Sequence, residues 1–242
     1  MNKKELAKKI IFITISVILI IFIAFIIIKY QVEGEKTLPY EIEKILIMSH
    51  VDGKKQTDTE FLWDINISQA NDLYIYINKK EERKVAISKV TIENFKINLA
   101  PQKGNLKILR PTGELENLYQ YSVDDYKDSS IEYIGAMIDD LKNLQVNNSG
   151  GMIGFEAQIE NIGQYQSNDD TQIVYDGSLL NKLGVSLEEV KTNISFDLLI
   201  TTSDNITYKT TITVDLPVGD IITNGKSSIE MTDIQNLVFK RV

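Results

Sequence analysis

The residues that could do chemistry in this chain are few. His50 is the only histidine, and there is no cysteine. A zinc site of the usual kinds needs several such ligands, so His50 alone cannot build one. A Ser-His-Asp triad needs its serine on a strained strand-to-helix turn, and no G-x-S-x-G is present. His50 precedes Val51, Asp52 and Gly53, a turn signal, and reads as a surface or turn residue.

Trp63 is the only tryptophan and is flanked by Asp58, Glu60 and Asp64. An aromatic platform beside carboxylates is the arrangement that binds sugars, while a lone Trp also serves as a core anchor. Asn168, Asp169 and Asp170 form one oxygen-rich cluster, and Asp124, Asp125 and Asp128 another. Hard cations such as Ca²⁺ take oxygen ligands, but neither cluster follows D-x-[DN]-x-[DN]-G. The ligand candidates are therefore Trp63, Asp169 and Asp170. Residues 219–227 read GDIITNGKS, one residue too long for a phosphate-binding P-loop, and are expected to form a glycine-containing turn. Nothing in these motifs calls for a catalytic residue, a metal or a cofactor.

The element that must position everything else is the run from Ile10 to Ile28. Its nineteen residues contain no charge, Gly or Pro, and sixteen are Ile, Leu, Val or Phe. As a helix it spans roughly 28 Å, the thickness of a hydrocarbon core. In lipid the backbone must satisfy its own hydrogen bonds, so a lone segment there is helical. Lys3, Lys4, Lys8 and Lys9 precede the run, and only Lys29 and Lys36 follow closely. That bias predicts residues 1–9 inside, a transmembrane helix over 10–28, a spacer over 29–40 and an exported domain over 41–242. The run ends in Phe25, Ile26, Ile27 and Ile28 with no small-residue cleavage site, so it reads as an uncleaved signal-anchor.

Residues 30–242 carry 21 Lys plus Arg against 33 Asp plus Glu, a net charge near −12. Such a surface repels anionic polymers and argues against nucleic acid. An exported domain without cysteine, with 23 Lys against 3 Arg, fits a bacterial envelope protein encoded by A/T-rich codons. Nine residues before the helix are too few for a signalling domain. The expected role is therefore non-catalytic binding of a partner protein, or part of a membrane assembly. The alternatives are a tethered module for glycan or Ca²⁺ and, further off, a hydrolase using a carboxylate pair.

The exported part reads as mainly β, an antiparallel β-sandwich-like domain with one or two short helices. Strands are expected at 43–49, 73–78, 85–99, 152–159 and 234–239, with residues 79–84 as a hairpin loop. In 85–99 the apolar parity changes twice, from Val85 and Ile87 to Val90 and Ile92, then to Phe95, Ile97 and Leu99, which requires bulges. Residues 194–216 alternate as a hairpin about Ser203, Asp204 and Asn205, ended by Pro217. Ile131, Ile134, Ile138, Leu141 and Leu144 recur at helical spacing behind Ser129 and Glu132, predicting a helix near 130–144. Ser178–Leu183 and Ser186–Glu189 read as capped turns. The breaker cluster Asn147–Gly151 permits two small sandwiches, 41–125 and 150–242, as readily as one large one.

Overall fold

In the computed structural model, which describes residues 3–80, 85–112, 120–135, 144–232, 234 and 237–242, the apolar run lies in α1, Lys3–Glu33. Its span Ala7–Glu33 is long and apolar enough to cross a membrane once, and none of its most apolar stretch is buried inside the fold. Thr14 and Ser16 return their hydroxyls to the carbonyls of Ile10 and Phe12, each at 2.9 Å. Gly34, at φ 68°, ends the helix by donating its N–H to the Tyr30 carbonyl.

The rest is mainly β. In chain order the strands and helices are β1 (Tyr40–Lys55), β2 (Trp63–Lys79), β3 (Ile87–Leu99), β4 (Asn105–Leu109), β5 (Ile131–Gly135), β6 (Leu144–Val146), β7 (Gly150–Ser167), α2 (Gly177–Lys182), α3 (Leu187–Val190), β8 (Thr192–Thr202), β9 (Thr207–Leu216), α4 (Ile221–Asn224), β10 (Lys226–Met231) and β11 (Lys240–Arg241). Sheet A runs β10-β1-β2-β7-β4 and sheet B runs β11-β9-β8-β3-β5-β6. Every pairing is antiparallel except β5 with β6.

Both sheets draw strands from both halves of the chain. A boundary near 125 or 150 would cut β2 from β7, which pair along most of their length. The buried apolar residues of the two sheets form one cluster. At its centre Phe155 of sheet A meets Phe95 and Phe196 of sheet B, with ring centroids 5.2 and 5.0 Å away. The Asn147–Gly151 breaker is the turn from β6 to β7, where the Gly150 N–H returns to the Asn147 carbonyl.

The late hairpin is present as β8 and β9, in continuous register from Thr192↔Leu216 to Thr201↔Thr207. The parity changes in β3 are register breaks against β8 at Ile87/Lys89, Glu93/Lys96 and Ile97/Leu99, the middle one holding Asn94 at φ 54°. Three expectations fail. The helix near 130–144 begins instead as strand β5, and residues 136–143 lie outside the described ones. Ile131, Tyr133 and Gly135 point inward, and a side chain at Gly135 would strike the Ile87 and Ser88 carbonyls of β3. Close strand packing thus outweighs the helical spacing of the isoleucines. Residues 79–84, of which 81–84 are not described, do not join a hairpin, because β2 and β3 lie in different sheets. Among the described residues of the last segment the strand is Lys240–Arg241, which adds to β9; Ile234 and 237–239 lie outside it, and 235–236 are not described.

A carboxyl pair on the outer face of sheet A as the candidate site

Alternation along β1, β2 and β7 sends Ile47, Leu73 and Phe155 into the core and the neighbouring positions to the opposite face. Asp72 of β2 stands directly opposite Glu156 of β7, and Met48 of β1 lies opposite Asp72. His50 sits one pair further along, opposite Ala70, and reaches Asp72 diagonally at 3.8 Å through Nδ1. Its Nε2 lies 3.2 Å from Asp52 on its own strand. His50 is therefore inside a strand rather than in a turn. β1 continues past the Val51-Asp52-Gly53 signal because β2 pairs with it as far as Lys55.

Residues 120–126 lie against this face. Tyr121 bridges to Pro111, the Ser122 N–H donates to the Arg110 carbonyl, and the Tyr126 N–H donates to that of Ile108. Asp125 accepts from the Ile108 and Lys127 N–H groups, so it fastens the segment to β4. The Tyr121 hydroxyl lies 3.3 Å from that of Tyr74 and bonds to Asp72. Asp72 and Glu156 are consequently only 8% and 6% exposed.

Burial sets the proton positions. It pushes Glu156 up to about 8, and the neighbouring Asp72 charge adds to the shift. Burial also raises Asp72, against the opposing pull of the Tyr121 hydroxyl and His50. His50 is raised by its bond to Asp52, despite burial. A value of about 8 favours the protonated form of Glu156 at neutral pH, with its hydrogen bond directed at Asp72. Such a pair can move a proton, but here the two carboxyls bond to each other beneath Tyr121, and little of either is exposed. Beside it runs an open groove of about 410 Å³, lined by Asp52, Lys54, Asn66, Ser68, Gln158 and Glu160 among others.

The candidates from the sequence lie elsewhere. Trp63 opens β2 at the far end of the sheet and packs against the core, with Lys55 Nζ 4.7 Å over its ring. Its Nε1 is buried with no hydrogen-bond partner among the described residues. Asp169 and Asp170 are exposed, and Asp169 caps its own loop through the Thr171 N–H. Neither joins the Asp72–Glu156 pair. Among the described residues, no group of three His, Asp or Glu could hold a metal ion. The 219–227 stretch contains the single helical turn α4, capped by Asp220 and closed by Gly225 at φ 73°.

Sequence reasoning missed the Asp72–Glu156 pair. The available signal was an acidic residue immediately before the stretch 73–77, which is apolar on both faces and includes Tyr74 and Tyr76. No protein-family model matches this chain, and neither a curated protein nor a solved structure shows significant similarity to it.

Proposed function

We propose that this protein is a single-pass, membrane-anchored bacterial envelope protein whose β-sandwich stands outside the membrane and works by binding a partner protein, without catalysis. The observation that carries the reading is the bareness of α1. The sandwich closes its own core without the helix, so the helix has only a bilayer in which to bury its apolar surface. The helix is also fastened to the sandwich. The Arg241 N–H donates to the Tyr30 hydroxyl at 2.9 Å, Lys240 donates to Gln31, and the Arg241 side chain pairs with Glu35 at 2.7 Å. The lysines before the helix favour an inside N-terminus. The burial of the carboxyl pair beneath Tyr121 favours binding over hydrolysis.

The test is protease treatment of intact cells followed by cross-linking within their membranes. Digestion of the sandwich and recovery of a specific cross-linked protein are expected. A protected sandwich overturns the orientation, and absence of any partner overturns the binding role.

The polar groove favours a second reading, a tethered module for a glycan or Ca²⁺. Asn66, Ser68 and Gln158 offer the amides and hydroxyl that sugars require, though Trp63 is not beside them. Thermal shifts of the full chain with Ca²⁺ or wall glycans test this. No shift with either, or an equal shift in the Gln158→Ala variant, removes it.

A further inference from the structure

We propose that the outer edge of β10 is a strand-addition site, which takes an extended segment of the partner protein as a sixth strand of sheet A. The inference deepens the protein-binding reading and rests on it. Among the described residues, three of the four sheet edges are short or occupied. β11 has two residues and β6 three, while β4 is fastened to residues 120–126. β10 has six residues, contains no proline, and is largely exposed. A free edge of that kind is a ready template for another strand.

The register tells which groups are on offer. The Val51 N–H donates to the Gly225 carbonyl, and β10 continues in the same register through Ser49↔Ser227, Ile47↔Ile229 and Ile45↔Met231. Those pairs therefore exchange hydrogen bonds with β1. The N–H and C=O groups of Lys226, Ser228 and Glu230 point away from it. Among the described residues they have no other backbone partner. Ile229 lies on the core side of the sheet, opposite the buried Ile47, yet it is 48% exposed.

An incoming strand thus finds outward hydrogen-bonding groups and an uncovered isoleucine on the inward side. On the outward side is Lys226, which makes no ion pair among the described residues. The segment that fits alternates, with an apolar side chain beside Ile229 and an acidic one beside Lys226.

A second copy of this chain fits less well. Antiparallel β10–β10 pairing needs a two-fold axis perpendicular to the sheet. With both anchors in one membrane, that axis lies along the membrane normal and presses a sheet face onto the bilayer. Both outer faces are polar, with His50, Asp52 and Glu160 on sheet A and Lys89, Glu132 and Lys209 on sheet B.

The test places a photo-crosslinking amino acid in turn at Lys226, Ser228 and Glu230 of the full chain in its own membranes. Phe61, at the far end of the sandwich, and Asp52, on the outer face, serve as comparison positions. The expected result is cross-links from the three edge positions to alternate residues of one short stretch in one partner. Cross-links to β10 of a second copy, or scattered over several surfaces, overturn the inference. A partner reached only from Phe61 or Asp52 overturns it too but leaves the binding role standing, whereas no partner from any position removes both. In addition, Ser228→Pro deletes one outward N–H and leaves the bonds to β1 intact. It is expected to lower the edge cross-link yield roughly tenfold at an unchanged melting midpoint. An undiminished yield counts against strand addition.

Discussion

Asp72 and Glu156 face each other across β2 and β7, hydrogen-bonded beneath the Tyr121 hydroxyl, and burial raises the pKa of both. Two acids so placed cannot both ionise without repulsion in a site that water hardly reaches. Around them stand His50 and Asp52 from β1, Tyr74 from β2, Leu109 from β4 and Tyr121 from the overlying segment.

The pair predicts an unusual pH dependence of stability. Glu156, Asp72 and His50 are all raised in the folded state, so folding takes up protons. Glu156 stabilises the fold fully below its unfolded value of 4.5 and loses that contribution as pH rises through about 8. His50 and Asp72 act in the same direction. Urea unfolding of the full chain in detergent between pH 5 and 9 should therefore show stability falling with pH, by a few kcal/mol. Glu156→Gln, which keeps a donor and cannot ionise, should flatten the fall. A stability that rises over this range contradicts the assignment.

Asp64, Asp197 and Asp220 predict the opposite trend at lower pH. Burial works against ionisation of Asp64, but bonds from Thr59, Gln164 and Gln166 outweigh it and lower its pKa. Asp197 behaves alike through Lys209, Thr211 and Asn94, and Asp220 is lowered by Thr223 and the α4 N-terminus. Their contribution is present above the unfolded value of 3.8 and disappears as pH falls through the lower folded values. The midpoint for unfolding should thus peak in mildly acidic solution. Asp197→Asn should reduce the loss below pH 4 while leaving the slope between 5 and 8 unchanged.

The Phe95, Phe155 and Phe196 rings join the two sheets at the centre of the core. Phe155→Ala removes one ring from between two others and leaves a cavity that a sandwich cannot close. A loss of roughly 3–5 kcal/mol is expected, read as a lower urea midpoint at unchanged slope.

Tyr133 crosses the sandwich. Its hydroxyl donates to the Gly154 carbonyl and accepts from the Gly154 N–H, and burial lifts its pKa to about 12. Tyr133→Phe leaves two buried backbone groups short of that partner and should cost roughly 1–3 kcal/mol. Hydrogen exchange should show the Gly154 amide losing protection before its neighbours in β7.

The β6–β7 turn depends on Gly150, at φ 115°, where a side chain would lie 2.0 Å from the Ile77 carbonyl. Gly150→Ala should destabilise the domain by well over the roughly 1 kcal/mol that a tolerated glycine replacement changes. Gly184, at φ 63° with open space around it, should cost less when changed the same way.

What could be read from the sequence was whatever one segment decides alone. The apolar helix, the β8–β9 hairpin, the breaks in β3 and the short capped turns near 178–183 and 186–189 each follow from neighbouring residues. What could not be read was decided by partners far away in the chain. Ile131, Ile134 and Ile138 look helical until β3 is known to approach Gly135. Asp72 and Glu156 lie 84 positions apart, and only the β2–β7 register makes them one group. Trp63 resembled a sugar platform because no local signal says that its ring lies against the core.

The chain passes from α1 through a six-residue connection, Gly34–Pro39, into β1, an inner strand paired along one side with β2 and on the other with β10. With α1 held in a bilayer, as proposed, a pull on the sandwich would enter lengthwise down β1. Its cross-strand bonds bear that force together, in shear, rather than opening one after another. The helix thus leads into a strand held on both sides rather than into an edge.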